Sequence, residues 1–374
     1  MIKTRPWIVL AVLLVLIACP GCHKNSVSTP AGTTGDEANR HIQQQLAANL
    51  SVDATVAAPA NLQKLNTYIV APLSLSPQTG ALEAALVGNS KIAQRSGHGQ
   101  DVFIKTADGK ELGIDGAGLF FSTAYFDTYL RQLTLLETII SGDMQPDLSC
   151  FNSRRDKDLP FTPRLQAVDK VRQLLSALGI SVYDTADVYA LDYKTLQARE
   201  NTLKVSGQLL DPKTRSVTVK SDWNEQDDCY YMFLRGGLDG LPVYSEPHGN
   251  IDSGAAVQGF FIQACYSKRG WEYLAIMFPY RGIRVDQAGM PIIGPEQALA
   301  AVTHKYDNVI LQNPITITAI ELDYVPTRIG HTRDQLRMVP AWCFLMDVKV
   351  PVNGVPKTVH QRVIVDATTG SEIL

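Results

Sequence analysis

Two acidic residues at alternating positions have a spacing that could do chemistry. Glu321 and Asp323 lie within residues 315–324, where side chains alternate as in a half-buried β-strand. Alternate residues of a strand point to the same face, so the two carboxylates should lie side by side. Such a pair could act as general acid and base, or bind Ca²⁺. The solvated face of a strand produces the same pattern, and this is the outcome we expect.

Tyrosines on neighbouring strand-like stretches form a second candidate. Their rings could line a groove for a glycan or a peptide, although aromatic residues on strands most often pack in the core. Together with Glu321 and Asp323 they make up the predicted ligand or partner surface. The tyrosines are Tyr230, Tyr244, Tyr266 and Tyr273.

Motifs that would carry catalysis or bind a metal do not occur. The seven histidines are scattered, and the sequence contains no HExxH, no GxSxG and no phosphate-binding Gly-x4-Gly-Lys-Ser/Thr motif. Residues 113–118 are rich in glycine, but they lack the strand and helix of a nucleotide-binding loop and predict a turn. Cys229 follows Asp227 and Asp228, whose carboxylates disfavour a reactive thiolate. The sequence therefore predicts no catalytic residue, no metal site and no cofactor.

The start of the chain has the pattern of an export signal. Lys3 and Arg5 precede an uncharged apolar run over residues 6–18. This run is shorter than the roughly 20 residues that a membrane-spanning helix needs. The four residues that end it, Leu16-Ile17-Ala18-Cys19, resemble the lipobox of bacterial lipoproteins; Cys22 fits that pattern less well. The resemblance implies that residues 1–18 are removed and that Cys19, as the new N-terminus, carries a lipid on the outer face of the cell membrane.

Composition and charge limit the class of protein. The 374 residues are 45% hydrophobic and 19% charged, as in chains that form globular cores. The formal net charge is −3, and removing Lys3 and Arg5 with the signal leaves 32 basic against 37 acidic residues. This balance argues against nucleic acid as a partner. It also means that membrane attachment would depend on the lipid and not on surface charge.

Four cysteines lie beyond position 100, and they contain no CxxC motif. One or two disulfides are permitted in an exported chain, and the spacing leaves three pairings open. We expect Cys265 and Cys343 to be small core residues on strands. The other two are Cys150 and Cys229.

The first third of the chain predicts a tether and then a folded region. Residues 19–61 are rich in Ser, Thr, Gly, Ala and Pro, which predicts a flexible tether after Cys19. Residues 62–150 predict an N-terminal α+β region, with a hairpin turn at Ala107-Asp108-Gly109 and a helix over 123–140.

Residues 160–285 predict a first unit of a helix and a sheet. Thr162 is suited to cap the helix, Pro163 to begin it and Gly179 to end it. The predicted strands cover 182–193, 204–210, 217–222, 229–235, 241–244, 259–267 and 271–278.

Residues 290–374 repeat this plan as a second unit. A helix starts at Gly294-Pro295, and strands follow at 315–324, 338–350 and 359–366. No strands and helices alternate as in a Rossmann-type sheet. The predicted fold class is α+β, built from tandem units of a helix on an antiparallel sheet, of the PepSY or cystatin-like kind, plus a smaller N-terminal β-rich region.

Three segments of the last 215 residues resemble a known group. They are 238–243 (Leu-Asp-Gly-Leu-Pro-Val), 339–344 (Val-Pro-Ala-Trp-Cys-Phe) and 363–373, which contains Asp-Ala-Thr-Thr-Gly. This part of the chain is similar to Gram-positive extracytoplasmic proteins built from PepSY-like repeats, the architecture of the YycH and YycI regulators of a cell-wall sensor kinase, and to uncharacterised clostridial lipoproteins. The resemblance implies repeated α+β units and brings no catalytic position with it.

Three classes of function remain open. We favour a membrane-anchored, extracytoplasmic, non-enzymatic lipoprotein that binds or regulates a protein of the cell envelope, because an anchor and repeated units occur without catalytic motifs. A lipoprotein that binds a solute or a cell-wall fragment would need a deep pocket between residues 65–150 and 160–280. An envelope hydrolase would need Asp, Glu or His side chains that converge in space.

Overall fold

The computed structural model describes residues 40–60, 62–137, 144–146, 149–206, 218–248, 257–307, 309–330, 332, 334–352 and 355–373. The predicted export signal, Cys19 and the first part of the predicted tether lie outside these residues. The described chain is mixed α+β, as predicted, and most of its regular structure is sheet.

The strands follow one another along the whole described chain. They are β1 (Arg40–Ala47), β2 (Leu50–Ala57), β3 (Lys64–Pro72), β4 (Ile92–Ser96), β5 (Val102–Thr106), β6 (Glu111–Asp115), β7 (Gly118–Ser122), β8 (Leu135–Glu137), β9 (Met144–Pro146), β10 (Val182–Leu191), β11 (Cys229–Leu238), β12 (Leu241–Pro242), β13 (Phe261–Ser267), β14 (Gly270–Met277), β15 (Tyr280–Pro291), β16 (Ile315–Arg328), β17 (Leu336–Val352) and β18 (Val355–Asp366).

Three helices of more than two turns lie within the described residues, together with shorter helical segments. The helices are α1 (Thr79–Leu82), α2 (Arg131–Thr134), α3 (Arg164–Ala177), α4 (Tyr193–Val205) and α5 (Pro295–Lys305), and a π-helical segment (Phe126–Leu130) runs directly into α2.

The larger of the two main sheets has nine strands. Its order is β10-β11-β13-β14-β7-β6-β5-β4, with β12 paired to β11, and all pairings are antiparallel. Helix α3 packs on one face, where Val168 shares a core with Met232. The π-helical segment with α2 and helix α4 pack on the other face, where Leu130 and Leu196 share a core with Tyr231. Helices therefore lie on both sides of this sheet.

The second sheet has seven strands in the order β1-β2-β16-β17-β3-β15, with β18 paired to β17. Its pairings are antiparallel except that β2 runs parallel to β16. Helix α5 packs on one face, where Val302 shares a core with Phe344. On the opposite face Cys343 and Ile364 form a small core with Tyr244.

The two sheets meet where β11 ends and β16 runs past it. Val243, directly after β12, forms a bridge with Tyr324, and the backbone N–H of Tyr244 donates to the carbonyl of Tyr324 at 2.9 Å. This joint brings Arg235 of β11 onto the face of β16.

The sheets do not follow the predicted domain boundaries. Strand β7 belongs to the predicted N-terminal region and pairs with β14 of the predicted first unit. Strand β3 lies in the other sheet, against β17 and β15. The boundary at which the solute-binding hypothesis needed a pocket is therefore the interior of a continuous sheet.

The tether prediction is wrong for residues 40–57, which form β1 and β2. Leu50, Val52, Ala54 and Val56 are buried and alternate with more exposed residues. Burial of four apolar side chains on one face stabilises this strand in the sheet core. This burial outweighs the tendency toward a linker that the Ala-rich composition indicates.

Helix α4 replaces the strand predicted over 204–210 as far as residue 205, and the rest of that strand lies outside the described residues. The Asp192 carboxylate accepts the Thr195 N–H at 2.8 Å and so caps the helix. The helix predicted over 123–140 is also shorter, because α2 gives way to β8 after Thr134.

Helices α3 and α5 confirm the two helices predicted to start near Pro163 and at Gly294-Pro295. Helix α3 begins at Arg164, after Pro163 and not at it, because Pro163 has an extended ψ of 143°. The carboxylate of Asp158, and not Thr162, accepts the N–H of Arg164 at 2.9 Å. Gly179 follows the helix with a φ of +72°, a conformation that favours glycine.

Candidate functional site

Three of the four predicted tyrosines are core residues. Tyr230, Tyr244 and Tyr273 are buried, and burial raises the pKa of Tyr273 to about 12. Only Tyr266 is partly exposed, and its ring contacts Trp271 edge-on with the centroids 5.3 Å apart. The prediction that these tyrosines line a binding surface is wrong for the three buried ones, because helices or the second sheet cover both faces of their strands.

Tyr230 joins the sheet to the chain that leads into α3. Its hydroxyl accepts the N–H of Leu159 at 2.6 Å and donates to the carbonyl of Thr162 at 2.7 Å. We expect Tyr230→Phe to lower the free energy of unfolding by about 1–3 kcal/mol, because two backbone groups lose their partner. Urea denaturation measures the change.

Tyr231→Phe is the matched control for this substitution. Among the described residues, the one hydrogen bond of its hydroxyl goes to Oε1 of Gln263, at 3.3 Å, and that amide can reorient. A loss in Tyr230→Phe no larger than the loss in Tyr231→Phe would contradict the structural role of the Tyr230 hydroxyl.

Glu321 and Asp323 share a face of β16, as predicted, and both bind one arginine of the other sheet. One amino group of Arg235 donates to Oε2 of Glu321 at 2.9 Å, and the second donates to Oδ2 of Asp323. The expectation of a solvated face is wrong for Asp323, whose side chain is 1% exposed, while Glu321 is 31% exposed. The reason is Arg235, which covers this face from β11.

The electrostatics of this cluster are those of charges held away from water. Burial raises the pKa of Asp323 to about 6 and outweighs the opposing effect of Arg235. Burial alone would lower the pKa of Arg235, but the two carboxylates raise it. Oδ1 of Asp323 and Nε of Arg235 are buried without a hydrogen-bond partner among the described residues. The cluster is therefore held by few hydrogen bonds for the charge it contains.

Further ion pairs surround the cluster. Arg155 binds Asp187 of β10, and Arg362 of β18 binds Glu246. The side chain of Asp187 is 49% exposed, yet burial raises its pKa, with Arg155 as the largest opposing influence. We call these two pairs, together with Arg235, Glu321 and Asp323, the ion-pair group.

A row of side chains crosses the nine-stranded sheet and ends at Asp187 of the ion-pair group. Cross-strand partners lie on the same face of a sheet, so the register places seven residues in one line. We call this line the transverse row: Phe103, Gly113, Phe120, Ala275, Gln263, Phe233 and Asp187.

The transverse row combines aromatic rings with small residues. Phe103, Phe120 and Phe233 are each partly exposed, and Gly113 and Ala275 lie between them with little or no side chain. A second row on the same face starts at Arg235 and continues through Phe261, Met277 and Gly118. The π-helical segment and α2 cover the middle of this face, where Ala275 is 2% exposed and Arg131 lies over the Phe120 ring, and charged groups lie at one end.

Arginine forms an ion pair with each carboxylate of the ion-pair group. Asp323, whose pKa burial raises to about 6, is 1% exposed, so a molecule in solvent does not reach its carboxylate. Cys343 lies opposite Glu321, but burial raises the pKa of its thiol well above the usual value. Within the described ranges, side chains of His, Cys, Asp and Glu do not gather in groups of three that could hold a metal ion.

A second polar cluster has a structural role. The carboxylate of Asp227 accepts the Tyr125 hydroxyl at 2.7 Å and lies 3.1 Å from Nζ of Lys220, and Arg269 stacks on the Tyr125 ring. This cluster ties the start of the π-helical segment to the turn between β13 and β14. Cys229 is buried beneath the same helices.

Two parts of the site escaped sequence reasoning. Arg235 precedes two glycines within β11 and resembles any strand arginine, since its partners lie 86 and 88 residues away. Phe120 and Phe233 do alternate with buried neighbours on their strands, so a count of apolar residues on both faces could have indicated them.

Comparisons with known proteins support the fold and not an activity. No protein family and no curated protein matches this chain. A crystal structure of an uncharacterized protein from Eubacterium rectale ATCC 33656 is similar, with a TM-score of 0.64, 16% sequence identity, and coverage of 89% of this chain and 93% of that chain. At this identity the likeness shows a shared fold alone. None of the helices within the described ranges combines the length and hydropathy needed to cross a lipid bilayer.

Proposed function

We propose that this chain is a lipid-anchored, extracytoplasmic binding protein that binds or regulates a protein of the cell envelope and has no enzymatic activity of its own. One observation carries the binding role: Phe103, Phe120 and Phe233 are partly exposed at the edges of the helices that cover this face, and paired charges lie beside Phe233. Apolar area with polar groups at its edge is the composition of protein recognition sites.

The proposed location depends on the N-terminal sequence. Lys3, Arg5, the apolar run and Cys19 follow the order of a lipoprotein signal. We further propose that residues 160–374 are two PepSY-like units, since α3 precedes β10, β11, β13 and β14, and α5 precedes β16, β17 and β18 in the same way. The observed antiparallel strand pairings support this proposal.

Lipidation can be tested in the native host by metabolic labelling with radioactive palmitate. We expect the protein to take up label and to sediment with membranes, and Cys19→Ala to abolish both, because the thiol of Cys19 is the acceptor. Cys22→Ala is the matched control and should keep both. An unlabelled wild-type protein would contradict the proposed location, and loss of label in Cys22→Ala alone would move the anchor to Cys22.

The binding role can be tested in cells with a photo-crosslinking residue. Benzoylphenylalanine in place of Phe120 should give one defined covalent adduct with an envelope protein that mass spectrometry identifies. The same residue in place of Phe161, which is partly buried near α3 on the other side of the sheet, is the control. No adduct from either position, or the same adducts from both, would contradict a specific partner on this face.

A solute or cell-wall fragment is the alternative ligand for the same face. The partly exposed phenylalanines favour it as much as they favour a protein, because aromatic faces also stack on sugar rings.

A further inference from the structure

Two cysteines lie on neighbouring strands beneath the helices of the nine-stranded sheet. Cys229 begins β11 and pairs with Ser267 of β13, while Cys265 of β13 pairs with Tyr231. Cross-strand partners and alternate residues of a strand share a face, so the two thiols are diagonal neighbours on one face. Both residues are 0% exposed, and both belong to the core beneath α2 and α4.

The two thiols contact each other directly. Burial raises the pKa of Cys265 well above its usual value, and a hydrogen bond with the Cys229 thiol raises it further. From such a contact, rotation of the side chains and a small shift of the strands bring the sulfurs to about 2.05 Å, the length of an S–S bond. Cys343 packs in the small core of the other sheet, and Cys150 is exposed. The structure therefore favours the pairing of Cys229 with Cys265.

The chemistry of this pair depends on the compartment in which the chain folds. In a reducing cytosol, two buried thiols remain small apolar residues. In an oxidising compartment, thiols that the fold brings together form disulfides that persist. The proposed extracytoplasmic location would expose the folding chain to disulfide oxidants.

From the strand register, the burial and the thiol contact we infer that Cys229 and Cys265 form a disulfide while the exported chain folds. This inference rests on the proposed location. The oxidant is itself a disulfide, of an envelope thiol oxidoreductase or of a small molecule. One cysteine thiolate attacks it to form a mixed disulfide and releases one oxidant thiol. The second thiolate then displaces the other oxidant thiol, so the oxidant takes up two electrons and the two thiol protons of the protein.

The burial of both sulfurs determines when the bond can form. A thiol in an apolar core stays protonated and out of reach of an oxidant, so the reaction has to precede the covering of this face by α2 and α4. The bond closes a loop of about 36 residues. This loop contains Val243 and Tyr244, which join the two sheets at Tyr324. The disulfide would therefore hold both ends of the segment that forms the joint.

Peptide mapping of the protein from its native host tests the bond. Cells are lysed in N-ethylmaleimide, which blocks thiols, and the protein is cleaved with trypsin without reduction. Trypsin releases residues 221–235 and 236–268, each with a single cysteine. We expect mass spectrometry to find these two peptides joined and to find them separate after reduction. Cys265→Ala should abolish the joined species, whereas the matched control Cys343→Ala removes another buried strand cysteine and should retain it.

Refolding of the purified full chain in detergent tests the timing and the effect of the bond. Chain that refolds from the reduced, urea-unfolded state with glutathione disulfide should give the same joined peptides. Chain that is already folded and reduced should form them at least about tenfold more slowly, because its thiols are buried. Dithiothreitol should lower the urea midpoint of the wild type by about 1 M, and should not change the midpoint of the double variant Cys229→Ala with Cys265→Ala.

Several results would overturn the inference. They are two separately alkylated peptides from the native host, a bond from either cysteine to a different one, equal oxidation rates of refolding and folded chain, or a wild-type midpoint that dithiothreitol leaves unchanged. Palmitate label with alkylated Cys229 and Cys265 would leave the anchor in place and remove the disulfide. Joined peptides without palmitate label would do the reverse, so the two proposals can fail separately.

Discussion

Substitution Arg235→Met should lower the free energy of unfolding at pH 7.5 by about 3–5 kcal/mol. Arg235 is the described cation that binds the buried carboxylate of Asp323, and methionine fills similar volume without charge. The loss arises because an ionised carboxylate would be left away from water without a counter-charge. Urea denaturation of the wild type and the variant measures it.

Arg362→Met is the matched control for this substitution. Arg362 is 30% exposed, close to the 27% of Arg235, but its partner Glu246 is 47% exposed and can be hydrated. We therefore expect a loss of about 0–1 kcal/mol for Arg362→Met. Combining Arg235→Met with Glu321→Gln and Asp323→Asn should restore at least half of the lost stability, since no buried charge remains. Equal losses in Arg235→Met and Arg362→Met would show that burial of Asp323 does not control this junction.

The second large effect is a dependence of stability on pH that Asp323 causes. Its pKa is about 6 in the folded chain against about 3.9 in an unfolded one, so the folded state binds the proton more tightly. The stability that Asp323 contributes through this tighter proton binding is fully present below about pH 4 and is lost as pH rises through 6. The difference of about two pKa units corresponds to about 3 kcal/mol.

Comparison with Asp323→Asn isolates this contribution from other groups that titrate in the same range. The unfolding free energy of the wild type, minus that of Asp323→Asn, should fall by about 2 kcal/mol between pH 4.5 and pH 7. Asp187→Asn is the control. Because this variant keeps Asp323, its unfolding free energy minus that of Asp323→Asn should still show most of this fall. A difference that rises with pH would mean that Arg235 outweighs burial and lowers the pKa of Asp323.

The sequence predicted elements whose signals are local. Pro163 and Gly179 mark the ends of α3, and Gly294 and Pro295 mark the start of α5, because backbone conformation at helix ends depends on the residue itself. Cys265 and Cys343 were expected on buried strands, and both lie there. Such features need no knowledge of the rest of the chain.

Helix α4 shows how a tertiary contact can hide a local signal. Its buried face contains Glu200, whose carboxylate accepts Nε1–H of Trp223 at 3.0 Å and the N–H of Lys220 at 2.8 Å. An apolar periodicity search therefore finds only Leu196 and Leu203 on that face. Asp192, which caps the helix, was the available clue.

The candidate site depended on contacts that periodicity cannot supply. Alternation placed Glu321 and Asp323 on one face, and the structure confirms this. Whether that face meets water or another sheet is decided by the bridge between Val243 and Tyr324. The prediction of a tyrosine surface was wrong for the same reason. The pattern shows which residues share a face and not what covers that face.

The parallel pairing of β2 with β16 imposes a delay during synthesis, because β2 is made long before its partner strand. Ala57 ends β2 and Ile315 begins β16, 258 residues later. A ribosome adds about 5–20 residues per second, so the N-terminal hairpin waits about 13–50 s for its neighbour to be made. During that interval its hydrogen-bonding edge is available to chaperones, proteases or other nascent chains. Removing the last 60 residues would leave this edge permanently open, so a C-terminal truncation should damage the first strands of the protein as severely as the last.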